Sequence, residues 1–121
     1  MCGIVGFTKK KYRSACCLEV LLNGLENLEY RGYDSAGIAV SDMEHQELKL
    51  CRAVGRISNL RRVVEEEKPE GSCGIGHTRW ATHGNPSVEN CHPDLAEKKT
   101  VAVVHNGIIE TYQPLKLQLQ K

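Results

Sequence analysis

The longest uninterrupted apolar stretch of the chain stands at its start, Met1-Cys2-Gly3-Ile4-Val5-Gly6-Phe7. It constrains the fold more than any other segment. A membrane helix needs roughly 20 such residues, and this run is far shorter. A secretory signal puts its positive charge before the apolar run, whereas Lys9, Lys10 and Lys11 come after it. The reading that remains is a short buried strand over Ile4 to Phe7. With no export signal, the expected location is the reducing cytoplasm. The six cysteines (Cys2, Cys16, Cys17, Cys51, Cys73 and Cys91) are then thiols rather than a disulfide framework. The 121 residues give room for one ordinary domain or part of a larger one. Lys and Arg number 16 against 15 Asp and Glu, a formal net charge of +1. That balance carries no nucleic-acid footprint and no attraction to a membrane surface. The apolar share of 40% is that of a globular chain rather than a disordered one.

Periodicity places the remaining elements. After Ser14, a good N-cap, Ala15, Leu18, Leu22 and Leu25 recur at helical spacing, joined by Leu21 and Leu28. They predict a helix to about Leu28. Gly24 inside it costs about 1 kcal/mol relative to Ala. Arg31-Gly32-Tyr33-Asp34-Ser35 reads as a tight loop. Ala36 to Val40 and Leu48 to Val54 read as a hairpin joined by the polar stretch Ser41 to Glu47. Ile57, Leu60, Val63 and Val64 mark a short helix ended by Pro69 and Gly71. Cys73 to Thr78 is a strand broken by glycines, and Trp80 to Pro93 a polar loop. Thr100 to Val104 is β-branched and apolar on both faces, the pattern of a strand buried on both sides. Gly107 turns the chain into a last helix, with Leu115 and Leu119 four apart. Pro114 fits its first turn if Thr111 is the N-cap. There is no internal repeat and no linker-like stretch.

The chemistry-bearing residues cluster at the ends of these strands. Removal of Met1 would put a thiol and a free α-amine on the same residue, Cys2. An α-amine has a reference pKa near 8 and a thiol one near 8.5, so the chain end carries its own base for making the thiolate. Gly76-His77-Thr78-Arg79-Trp80-Ala81-Thr82-His83-Gly84 ends a second strand with an arginine, two hydroxyls, two imidazoles and the only tryptophan. Arg79 suits a bidentate grip on a carboxylate. His105-Asn106-Gly107 ends a third strand. A side-chain amide beside a glycine amide is what an oxyanion hole needs. Each feature alone has an ordinary structural reading: a surface charge, a core filler, a turn. Three strand ends carrying such residues together make those readings poor ones. Cys73, His77, His83, Cys91 and His92 raise zinc as a rival, but no Cys-x-x-Cys or His-x-x-x-His spacing supports it, so no metal is expected.

Met1 to Gly6, Leu28-Glu29-Tyr30-Arg31-Gly32-Tyr33-Asp34-Ser35-Ala36-Gly37, Gly76 to Gly84 and His105-Asn106-Gly107-Ile108-Ile109-Glu110 together resemble the class II glutamine amidotransferase domain. They are most similar to the branch that makes glucosamine 6-phosphate. The resemblance implies an α+β, N-terminal-nucleophile hydrolase fold, in which two antiparallel sheets lie between helix layers, with only the first half in residues 1–121. It implies glutamine hydrolysis, with Cys2 as nucleophile and Asn106 and Gly107 as the oxyanion hole. Arg79 would hold the α-carboxylate of L-glutamine, with Trp80, Thr82 and His83 lining the pocket and Arg31 near the nucleophile. No cofactor is implied. The ammonia would go to isomerase domains beyond Lys121, where fructose 6-phosphate becomes glucosamine 6-phosphate, in an enzyme expected to be a homo-oligomer. Family members carry a further acidic residue for the substrate α-amine, and no residue of this sequence matches it. Thr111 stands where the family more often has Asn, an exchange between two good N-caps.

Overall fold

The computed structural model describes residues 2–9, 14–41, 47–80 and 85–121. Strands β1 (Gly3–Thr8), β2 (Ser35–Ser41), β3 (Lys49–Val54) and β4 (Cys73–Arg79) form one antiparallel sheet in the order β1-β4-β2-β3. Helices α1 (Ser14–Leu28) and α2 (Ile57–Glu67) lie on one face of it. The period-2 alternation of the strands sorts their side chains. Val5, Phe7, Ala36, Ile38, Val40, Cys51 and Ala53 meet the helices. Cys17, Leu21 and Leu25 of α1 and Ile57 and Leu60 of α2 are fully buried against them. The expected leucine stripe is therefore the packed face, with Leu18 partly buried beside it. Gly24 has a packing reason: a Cβ there would stand 2.9 Å from Val5 Cγ1, so the glycine lets α1 lie close on β1.

Burial raises the thiols of Cys17 to about 11 and Cys51 to about 12, so both behave as apolar fillers. The helix over Ile57–Glu67 stops at Lys68 rather than at a glycine. Lys68 takes a left-handed conformation (φ 46°), and its N–H donates to Val64 O at 2.9 Å.

Three expectations need correction. The opening strand is buried on its helix side only; Ile4, on the opposite face, is 50% exposed. The stretch Thr100 to Val104 is not a strand buried on both sides. Only Ala102–Val103 (β6) pair, with Asp94–Leu95 (β5), and both Val101 and Val103 stay half exposed. Its apolar pattern records a capacity for burial, but no second layer among the described residues covers it. The last helix, α3 (Tyr112–Leu119), starts after Thr111 as expected, yet that side chain makes no capping bond and α3 buries no residue. The loop tip at 42–46 lies outside the described residues.

Candidate active site

The site lies on the sheet face opposite the helices, where β1 begins and β4 ends. Gly3 pairs with Thr78 in the sheet. Its N–H donates to Thr78 Oγ1 at 3.1 Å, a buried bond that fixes the start of β1. Cys2 therefore emerges beside the end of β4, its Sγ 3.9 Å from Trp80 O. Arg79 is the last residue of β4, and its carbonyl accepts from Asp34 N at 3.0 Å, tying that end to the loop before β2. Arg79 Nη1 also reaches Asn85 O at 3.5 Å.

Trp80 is half exposed and lies over Gly32. Gly32 has φ +138°, and a Cβ there would stand 2.5 Å from Trp80 Cε3. The position requires glycine on both counts. Arg31, just before it, ends a 3-10 turn over Glu29–Arg31. It is not among the residues that line the site.

A cavity of about 220 Å³ gathers Cys2, Arg79 and Trp80 with Asn106 and Gly107, which come from the loop between β6 and α3. Five of the expected site residues, from the start of β1, the end of β4 and the loop after β6, thus line one space. It is smaller than the roughly 300–1,000 Å³ of drug-sized sites, which suits a small amino acid. Thr82 and His83 lie outside the described residues.

Two further residues line the cavity without having been assigned a role in it from sequence: His77, which lies in the Gly76–Gly84 motif, and His92, considered only as a rival zinc ligand. For His77 a signal existed, since alternation along β4 puts it on the same face as Arg79. His92 had none, because it comes from the loop after β4. That loop is pinned across the sheet. Arg52 Nη1 donates to Cys91 O at 3.1 Å, and the Cys91 thiol reaches Ser87 O at 3.2 Å. Gly37 of β2 makes the crossing possible, because any Cβ there would strike the His92 carbonyl. The rings of His77 and His92 lie 4.6 Å apart, tilted by 42°. Among the described residues, no three His, Cys, Asp or Glu side chains converge as a metal site would require.

No family model matches the chain. Over 116 residues it is 53% identical to the glutamine–fructose-6-phosphate aminotransferases of Caldanaerobacter subterraneus subsp. tengcongensis and Clostridium perfringens, covering 96% of this chain and 18% of each relative. The likeness to these aminotransferases runs over nearly the whole of this chain. A third glutamine–fructose-6-phosphate aminotransferase, from Bradyrhizobium diazoefficiens, is 50% identical over 121 residues, all of this chain and 19% of that one. The chain thus spans about a fifth of the length of the curated relatives it matches.

Among solved structures, the glutamine phosphoribosylpyrophosphate amidotransferase of B. subtilis, complexed with ADP and GMP, superposes with a TM-score of 0.70 at 30% identity. It covers 98% of this chain and 24% of that one. The allosteric regulatory enzyme of purine biosynthesis gives 0.72 at 31% identity, with the same coverage. The sheet and its helix layer are those of an α+β, N-terminal-nucleophile hydrolase. No helix among the described residues is long and apolar enough to cross a membrane.

Proposed function

We propose that this chain carries the glutamine-hydrolysing site of an aminotransferase, with Cys2 as its nucleophile once Met1 is removed. The observation that carries this reading is the shared cavity of Cys2, Arg79, Trp80, Asn106 and Gly107. Arg79 grips the glutamine α-carboxylate, and Trp80, Thr82 and His83 line the substrate's path. The Cys2 α-amine takes the thiol proton, and the thiolate attacks the side-chain amide carbon. Asn106 and the Gly107 amide receive the oxygen that becomes negative. The C–N bond breaks, and the proton on the α-amine leaves with the ammonia. Water then attacks the remaining glutamyl thioester, the C–S bond breaks and glutamate departs.

Residues 1–121 are, on this reading, the first part of a glutaminase domain. The ammonia serves isomerase domains that turn fructose 6-phosphate into glucosamine 6-phosphate, in a cytoplasmic homo-oligomer. The likeness to these relatives over nearly the whole chain and the fold likeness support the glutamine half of this reading most directly.

The test is labelling of the full-length protein with a diazo-ketone analogue of glutamine. Mass spectrometry should find the label on Cys2. Label on Cys73 or Cys91 instead, with Cys2 free, overturns the assignment. The fully buried Cys17 and Cys51, whose thiols are pushed well up, should stay unmodified.

A further inference from the structure

Among the described residues, four buried side-chain polar atoms have no hydrogen-bond partner: Ser35 Oγ, both ring nitrogens of His77, and His92 Nδ1. They fall in one place. Ser35 pairs with Arg79, and Gly37 with His77, so Ser35 and His77 are diagonal neighbours on adjacent strands. Both point away from the helices, and His92 comes down on the same face with its ring 4.6 Å from that of His77. His92 Nδ1 lies 3.4 Å from Asp94 Oδ2, but outside hydrogen-bonding geometry. His77 is 1% exposed and Ser35 fully buried, yet His77 and His92 both line the Cys2 cavity. Leaving a buried polar group unpaired forfeits its hydration with nothing in return. A cluster of four beside a cavity therefore marks a seat for a small hydrogen-bonding molecule with several polar partners, the requirement for a buried water.

We infer that His77 is a positioning residue of the cysteine site: with Ser35 and His92 it holds an ordered water behind the Cys2 cavity and so fixes the wall beside Cys2 and Arg79. The inference rests on the glutaminase reading. The titratable and charged groups around the ring are His92 and Arg79, then Cys2 across the shared cavity, Asp94 beside His92 and Arg52 beside Gly37. Burial first, then His92 and Arg79, hold the His77 imidazole down at about 4, so it is neutral near pH 7. A neutral ring offers one N–H and one lone pair, which suits a bridging water. It also adds no positive charge against the proton that the Cys2 α-amine must accept.

The test uses the full-length protein and two readouts. In glutamine hydrolysis, His77→Leu should lower kcat about ten- to a hundredfold, the scale of a displaced catalytic wall, while KM for glutamine moves little. Of His77→Asn and His77→Gln, the one whose amide reaches the water should recover most of that loss. In nitrogen-15 NMR, the His77 ring should stay neutral from pH 8 to pH 5, with its N–H protected and showing a cross-peak to water. Wild-type kcat in His77→Leu overturns the inference. So does equal loss in all three variants, the mark of a merely structural residue, or a ring that titrates near 6.5. Glutamate release that survives Cys2→Ala overturns the glutaminase reading instead, and the NMR readout then decides the water site on its own.

Discussion

Between Gly3 and Arg79 the four strands pair along their lengths and two helices close one face, so Leu21, Leu25, Ile38, Ile57 and Leu60 are fully buried. Between Asn85 and Lys121 the strand pairing is two residues long, α3 buries nothing, and Ile108, Ile109, Leu117 and Leu119 are all more than half exposed. The candidate site straddles the two regions. The first, with the residues that flank it, supplies Cys2, Arg79, Trp80 and His77; the second supplies Asn106, Gly107 and His92. Stability and chemistry are therefore distributed unequally. The packed region places Cys2 and Arg79, proposed as nucleophile and carboxylate grip, through the pairing of β1 with β4. The second region, which carries Asn106 and Gly107, is held by a few polar ties, such as Leu48 N to Lys99 O at 2.9 Å and Ala96 N to Val101 O at 2.9 Å.

The strongest way to break this comparison is at the nucleophile itself. Protein verified by mass spectrometry to retain Met1 should release no glutamate, because its α-amine is blocked and the thiol is displaced from the chain end. Normal release from such protein would show that the packed region does not set the nucleophile.

Two substitutions, one from each region, should then give mirrored results. Asn106→Ala should lower turnover about a hundred- to a thousandfold and leave the melting temperature nearly unchanged. Leu25→Ala should cost about 2–5 kcal/mol of stability, read from urea unfolding. Leu119→Ala, at 88% exposed, should stay within about 0.5 kcal/mol of wild type. A large loss of stability in Asn106→Ala would dissolve the contrast.

Arg79→Lys sharpens it at smaller scale. Lysine keeps the charge and loses the planar fork, so KM for glutamine should rise about tenfold with turnover little changed. Steady-state kinetics in which turnover falls and KM does not would move Arg79 from binding to chemistry. If isomerase domains follow, the ammonium-dependent reaction should survive both Arg79→Lys and Asn106→Ala.

The smallest effect belongs to the α1–α2 surface. Arg61 Nε donates to Glu26 Oε1 at 2.7 Å, and its Nη2 reaches Asn23 Oδ1 at 2.7 Å. The charged hydrogen bond holds the Glu26 carboxyl below its ordinary pKa. That lowering adds stability above the ordinary value, and it is lost as pH falls through the lowered one. Glu26 is 44% exposed, so solvent screening leaves under about 1 kcal/mol, and Glu26→Ala should cost no more. Thermal melts at pH 7 and at falling pH would check it: a cost that persists once the carboxyl is protonated would assign the Glu26 contribution to packing rather than to its charge.

What the sequence determined by itself is local. Leu18, Leu21, Leu22 and Leu25 recur at the helix period because one helix must bury one face, and that face is the buried one. The hairpin of Ala36–Val40 and Leu48–Val54, and the strand over Cys73–Thr78, were legible from alternation and from their flanking turns. The motif residues Cys2, Arg79, Trp80, Asn106 and Gly107 were legible as chemistry before any geometry. Tertiary structure alone decided the rest. Burial is a property of what covers a segment, so the apolar stretch around Val101 and Val103 reads as core yet stays half exposed. Proximity across strands is a property of register. That His77 lines the Cys2 cavity with the His92 ring tilted against it follows from the pairing of Gly37 with His77 and from the loop that Gly37 lets pass. No spacing along the chain encodes that meeting, because strands and loop reach it from different parts of the sequence, and only the assembled sheet sets the distance between them.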